Sequence, residues 1–259
     1  MNSSTSAHKV PPPRPIDVVE DRPTNPKVLL DVIDAALQAG PTGVVVFDLD
    51  STLFMNFTRW VRILREFAEA RNIPKLRECR PDQISGFSVY WSLVQAGLPE
   101  AQALELLDDV TAFWAARFYS SPYCIEDVPV EGARTFLLHL QQAGAQIAYC
   151  TGRHTEMYQG TVDCLQKYDM PVPDEKQVHL LVKPTFAMSD DEWKQIAYKD
   201  LSALGQVLSI FDNEPAHING YHEAFPQALA VHVLTNDSGR GIRVHPGIPS
   251  VRDFVLPAR

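Results

Sequence analysis

The sequence contains no apolar run near the roughly 18 residues needed to cross a bilayer, and its opening stretch, MNSSTSAHKVPPPRPIDVVEDRP, lacks the apolar centre of an export signal. Neither a membrane anchor nor export is therefore expected, and the chain reads as cytoplasmic. Positive charge is scarce. Lysine and arginine number 23 against 32 carboxylates, a formal net charge of −9. That balance excludes a general electrostatic grip on nucleic acid or anionic lipid and leaves room only for a local basic pocket. The four cysteines, Cys79, Cys124, Cys150 and Cys164, include no CxxC pair, which argues against a zinc ribbon or a disulfide framework and fits reduced thiols. No internal repeat is visible.

What is present suffices for a sizeable core, since 45% of 259 residues are hydrophobic, enough for one large domain or about two smaller ones. Residues 1–24, rich in Ser and Pro, read as a flexible or extended arm. Helical periodicity follows at 26–38, closed by Gly40 and Pro41, and then a buried strand at 43–48. Apolar runs at 145–150, 207–211 and 228–234 predict further core strands, with a less distinct one at 178–182. Helical patterns at about 131–143, 155–168, 190–204 and 215–224 separate them. This alternation predicts an α/β fold, a doubly wound parallel sheet with helices on both faces.

One long interruption, residues 55–129, turns helical and predicts an inserted helical domain between two halves of the core, 25–54 and 130–259. Trp60, Ile63, Leu64 and Phe67, then Leu107, Val110, Phe113, Trp114 and Phe118, fall at helical spacing and read as bundle core. The C-terminal TNDSGRGIRVHPGIPSVRDF reads as a loop and a final packing segment.

In an open parallel sheet, ligands lie at the carboxyl ends of the strands. The first strand ends in Asp48-Leu49-Asp50-Ser51-Thr52, the second in Cys150-Thr151-Gly152-Arg153, and the run at 207–211 in Asp212-Asn213-Glu214. Residues i and i+2 leave a strand on the same side, so Asp48 and Asp50 start out close together. A lone DxD after a strand also fits turn chemistry. Carboxylates so near one another repel at neutral pH unless a cation or proton intervenes. With Asp212 as a third acid, an oxygen-rich site for a hard ion such as Mg²⁺ is expected. Thr151-Gly152 has the character of an anion cradle.

FDLDSTLF, AYCTGR and FDNEP together resemble three motifs of the haloacid dehalogenase-like hydrolase superfamily, and the helical insertion after the first of them is similar to that family's type 1 cap. The resemblance implies that Asp48 is the nucleophile in an aspartyl-phosphate mechanism, with Asp50 as general acid and base. It implies Mg²⁺ on the carboxylates of Asp48 and Asp212 and the backbone carbonyl of Asp50, with Asn213 or Glu214 completing the outer shell. Thr151 and Gly152 would hold a phosphoryl oxygen, joined by Thr52 and Arg153 around the substrate. The family also expects a lysine. Lys194 is placed ahead of Lys183, and Lys199 last. An acid at position 50 favours phosphoryl transfer over dehalogenation.

The implied activity is a Mg²⁺-dependent phosphatase acting on a small phosphorylated metabolite, because a cap of this size suits a small substrate. A phosphotransferase or mutase would carry the same carboxylates, and a non-catalytic phosphate- or partner-binding protein could retain the same fold. Cys150 reads as a small buried hydrophobe, His154 as an exposed loop residue, and Arg59, Arg62 and Arg65 as a solvated face. Arg153 fits a phosphate contact or a structural ion pair equally well. Tyr90, Trp91, Trp114 and Tyr119 could stack on a substrate ring.

Overall fold

The computed structural model describes residues 11–12, 22–86, 88–174 and 176–258. Most of the expected N-terminal arm lies outside these residues. Its last turn does not hang free, since the Arg22 guanidinium donates to the Val244 and Ile248 carbonyls at 3.0 and 2.6 Å, and Thr24 pairs with Ser250.

The core opens with α1 (Lys27–Ala39), whose Val28, Leu29, Val32, Ile33 and Ala36 form one buried stripe at the 3.6-residue period. The chain then reverses at Gly40, where a φ of 53° suits a residue without a Cβ. All five residues of β1 (Gly43–Phe47) are buried, as a strand covered on both faces requires. The helical insertion follows, running β2 (Phe54–Met55), α2 (Phe57–Arg71), α3 (Pro74–Arg77), α4 (Val89–Gln95), α5 (Glu100–Phe118), α6 (Ser121–Cys124) and β3 (Val128–Pro129). The core resumes with α7 (Ala133–Gln142), β4 (Gln146–His154), α8 (Tyr158–Lys167), β5 (Val178–Lys183), α9 (Asp190–Leu204), β6 (Gln206–Asp212), α10 (Pro215–Ala224), β7 (Leu229–Val233) and β8 (Ser250–Val251).

The six strands stand in the order β5-β4-β1-β6-β7-β8, all parallel. Chain order departs in opposite directions on the two sides of β1, which makes its carboxyl end the switch point of the sheet. Strand alternation divides the core into two layers. Val45 and Phe47 pack with α1, α7 and α8, while Val44 and Val46 pack with α9 and α10. The insertion has its own core around Trp60, Phe67, Tyr90 and Trp114, with the two indoles 4.4 Å apart.

Three strands were not visible in the sequence. The two residues each of β2, β3 and β8 are too short for a period-2 pattern to register. β2 and β3 pair antiparallel, Phe54 with Pro129 and Met55 with Val128, and form the neck through which the chain enters and leaves the insertion. The C-terminal segment is core as well as loop. Phe254 is fully buried and its ring lies 5.5–6.1 Å from those of Phe47, Phe136 and Phe211. Its backbone crosses directly over Gly132, where a Cβ would meet the Phe254 carbonyl carbon at 2.3 Å.

Because the Phe254 ring completes that aromatic cluster, Phe254→Ala should cost about 3–5 kcal/mol of stability, the usual range for deleting a buried ring. Urea unfolding measures it, and a loss below about 1 kcal/mol would mean that the C-terminal segment is peripheral to the core.

Candidate active site

The site forms where β1, β4 and β6 end side by side. Asp48 continues the pairing with β6 through its N–H to the Phe211 carbonyl, 2.9 Å. The next residues fold into a tight turn, with the N–H groups of Leu53 and Phe54 both on the Leu49 carbonyl at 3.0 and 2.9 Å and Ser51 at a φ of 62°. That turn presents Asp48 and Asp50 to one cleft of about 570 Å³.

Lys194 rises from the second turn of α9, a helix capped by the Ser189 hydroxyl. Its ammonium donates to Asp48 Oδ1 at 2.8 Å, to Asp212 Oδ2 at 3.0 Å and to the Cys150 carbonyl at 2.7 Å, so all three N–H bonds are used. The geometry thus separates the two candidate lysines, for Lys183 instead donates to Asp190 at 2.6 Å, and Lys199 is exposed. Burial pushes the Asp48 carboxyl up to about 7, with Asp212 and Asp50 adding to the rise and Lys194 opposing it. Burial would lower the Lys194 ammonium, but Asp212 and Asp48 outweigh it and hold the group well above its usual range.

Asp50 sits in a different electrostatic setting. The Arg153 guanidinium donates to both of its oxygens, at 2.9 and 2.8 Å, and the Asn56 amide to one, at 2.9 Å. Burial acts to raise this carboxyl, yet Arg153, then Arg59 and Asn56, bring it down to about 2. Behind it lies Asp127, fully buried, which accepts from Arg153 at 2.6 Å and from both Nε and Nη2 of Arg59, the former at 2.8 Å. Two carboxylates and two guanidiniums thereby balance one another, all buried but Asp50, which is partly open to the cleft.

This arrangement shows the ion pair that is one of two readings of Arg153, and it corrects the readings of Arg59 and His154. Arg153 is an ion-pair residue whose guanidinium is engaged by Asp50, Asp127 and the Thr161 hydroxyl, although the residue does line the cleft. Arg59 is no part of a solvated face: its side chain is completely buried. Its neighbours remain nearer the surface, Arg62 pairing with Glu66 and Glu126 and Arg65 donating to the Cys79 carbonyl. His154 is buried at the end of β4, its ring 5.6 Å from that of Phe186. Cys150 is the expected inert core residue, its thiol pushed up by burial.

Thr52 does not face the cleft. Its hydroxyl donates to Asn213 Oδ1 at 2.9 Å and accepts the Asn213 N–H at 3.1 Å, tying the turn after β1 to the end of β6. Asn213 is held further by its amide donating to the Asn236 carbonyl, 2.8 Å. Glu214 accepts from the Ser238 hydroxyl at 2.8 Å and from Arg240 at 3.0 Å. Thr151 is fully buried and accepts the Arg153 N–H at 3.2 Å, so Gly152 is the member of that pair that lines the cleft. Asp127 carried no recognisable signal and Arg59 only that of a surface arginine, since only the folded chain brings either of them to Asp50.

Four cations and six carboxylates line the cleft. Among the described residues no group of three or more His, Cys, Asp or Glu side chains is arranged to hold a metal. A cation here would have two carboxylates, Asp48 and Asp212, and would draw its other ligands from backbone, water or substrate. The donors fit a hard divalent ion, being all oxygen, in a cleft whose carboxylates outnumber its cations by two.

A profile of haloacid dehalogenase-like hydrolases matches residues 42–183. The chain belongs to that family. Among solved structures, a superfamily hydrolase of subfamily IA from Geobacter sulfurreducens superposes with a TM-score of 0.52 at 13% identity, over 83% of this chain and 94% of that one. A protein from Clostridium difficile, named provisionally as a phosphatase, superposes with a TM-score of 0.50 at 16% identity, over 75% of this chain and 86% of that one. At such identities the likeness concerns the fold. No curated protein matches. No helix among the described residues is long and apolar enough to cross a membrane.

Removing Asp127 would leave two buried guanidiniums short of a partner, so Asp127→Ala should destabilise the protein by about 3–5 kcal/mol. Chemical unfolding tests this, and a loss under about 1 kcal/mol would show that Asp50 alone suffices to balance Arg59 and Arg153. Because Asp50 is lowered from its ordinary 3.8 to about 2, its ionised form stabilises the fold fully above about pH 4 and the effect fades as pH falls toward 2. The difference in Tm between wild type and Asp50→Asn should therefore be largest above pH 4 and shrink below it. A difference that stays constant down to pH 2 would contradict the low value.

Proposed function

We propose that this hydrolase is a phosphomonoesterase dependent on Mg²⁺ that works through an aspartyl-phosphate at Asp48. The observation that carries the reading is the Lys194 ammonium donating to both Asp48 and Asp212 at the switch point of the sheet, beside an acid, Asp50, in a separate charge environment. Asp48 and Asp212 would hold Mg²⁺, together with the Asp50 backbone carbonyl, and Asn213 or Glu214 would meet its outer shell. When bound, the ion would screen the carboxylates from an incoming phosphate and polarise the phosphoryl oxygens.

Lys194 would keep Asp48 ionised and fix the oxygen that attacks, so that the nucleophile needs no reorientation. A carboxylate oxygen of Asp48 would form a bond to phosphorus as the ester oxygen–phosphorus bond breaks, and the leaving oxygen would take a proton from Asp50. Water, giving its proton to Asp50, would then attack the acyl phosphate and release inorganic phosphate with Asp48 restored. The ion pair with Arg153 favours the ionised Asp50, the form that the water step uses. The same pair opposes the first step, which needs Asp50 to carry a proton and so requires the Arg153 contact to loosen. The backbone N–H of Gly152, with Thr151 behind it, would support a phosphoryl oxygen. A cleft of about 570 Å³ suits a small molecule.

Phosphate release from a panel of phosphorylated metabolites, with Mg²⁺ and with EDTA, tests the reading. Wild type should release phosphate only with the metal, and Asp48→Asn and Lys194→Met should each lose roughly 10³-fold or more in kcat, as expected for removal of a nucleophile or the group that organises it. Acid quenching of wild type with labelled substrate should trap label on the protein. Full activity in Asp48→Asn would sink the mechanism.

A further inference from the structure

The cleft distinguishes sharply between the phosphoryl end and the leaving-group end. At the floor lie Asp48, Asp212 and Lys194. Toward the insertion the wall is aromatic, formed by Trp114, Phe118 and Tyr119. The Tyr119 ring stands 5.5 Å from that of Trp114, 5.2 Å from that of Phe118, and 4.8 Å from that of Phe186, which belongs to the loop between β5 and α9. Two of these rings remain open to solvent, Tyr119 at 36% and Phe186 at 55%. A ladder of rings thus bridges insertion and core at the cleft, in the tilted and edge-on arrangements that a further ring can extend. Trp114 Nε1–H is buried without an acceptor among the described residues, although a buried indole N–H ordinarily has one.

Charge narrows the choice further. Every cation that lines the cleft is already within hydrogen-bonding distance of a carboxylate: Arg59 on Asp127, Arg153 on Asp50, Lys194 on Asp48 and Asp212, Arg240 on Asp191 and Glu214. A second phosphate or a carboxylate on the substrate would find no uncompensated cation and would face the excess of acids. We propose that the substrate is a phosphate monoester of an uncharged aromatic alcohol, its ring held against Trp114 and Tyr119, the latter backed by Phe186, and its single anionic group directed to the floor. The inference rests on the phosphomonoesterase reading and adds the class of leaving group.

The test compares three esters with wild type in Mg²⁺: benzyl phosphate, 4-carboxybenzyl phosphate and glycerol 3-phosphate, whose leaving groups are all primary alcohols. Benzyl phosphate should exceed each of the others in kcat/KM by at least tenfold. Tyr119→Ala and Phe186→Ala, both at exposed positions, should reduce the preference for benzyl over glycerol phosphate at least fivefold, mainly through KM. Tyr119→Arg, which adds a cation to the wall, should raise 4-carboxybenzyl phosphate relative to benzyl phosphate. Hydrolysis of all three esters at similar kcat/KM, or a benzyl preference unmoved by all three substitutions, would overturn the aromatic assignment and leave the phosphatase reading standing. No hydrolysis of any ester by wild type would overturn the phosphatase reading and this one with it.

Discussion

Burying carboxylates next to one another is the constraint on which this structure is built. Two strand ends bring Asp48, Asp50 and Asp212 into one cleft, and the insertion contributes Asp127 from behind. Without partners such a group would neutralise by taking up protons. The chain meets the constraint with two separate solutions. Asp50 and Asp127 are matched one for one by Arg153 and Arg59, whereas Asp48 and Asp212 share a single ammonium. The first set is electrically complete and the second is left one charge short. That difference puts neighbouring carboxylates of one cleft in different charge environments.

The two sets are also held by different parts of the molecule. Lys194 comes from α9, a helix packed on the face of the sheet that carries Val44 and Val46, so the short-handed pair belongs wholly to the core. The matched set straddles core and insertion, with Arg153 on β4 and Arg59 on α2. Local fold and local charge are therefore inseparable here: the strand that supplies Gly152 to the cleft supplies, one residue later, the guanidinium that fixes Asp50.

Much of this was legible from sequence because it follows from repeating patterns. The helices at 190–204 and 215–224 appear at the positions their periodicity indicates, and each core strand falls within a few residues of its apolar run. The acids at the strand ends stood out because charge directly after a buried strand is unusual. What the sequence hid has a common physical character. β2, β3 and β8 are shorter than one full alternation. The burial of Arg59 depends on Asp127, 68 positions away, and no local pattern tells an arginine on a solvated helix face from one that will meet a buried acid. His154 reads as a loop residue because it lies past the apolar run at 145–150, yet β4 continues through it and pairs it with Lys183 of β5. The resemblance places Thr52 around the substrate, whereas its hydroxyl bridges to Asn213.

The neck between core and insertion bears on how the cleft would admit anything at all. Both crossings of the chain run side by side through the ladder of β2 and β3, with Asn56 directly after one strand and Asp127 directly before the other. The ladder is joined by a second tie, since the Ser121 hydroxyl donates to the Glu156 carbonyl and accepts the Gly160 N–H, both at 2.9 Å. The two polar residues at the ladder's ends link the insertion to the site. A movement of the insertion would be felt at Asp50, through Asn56 on one side and through Asp127 and Arg153 on the other, before it reached Asp48.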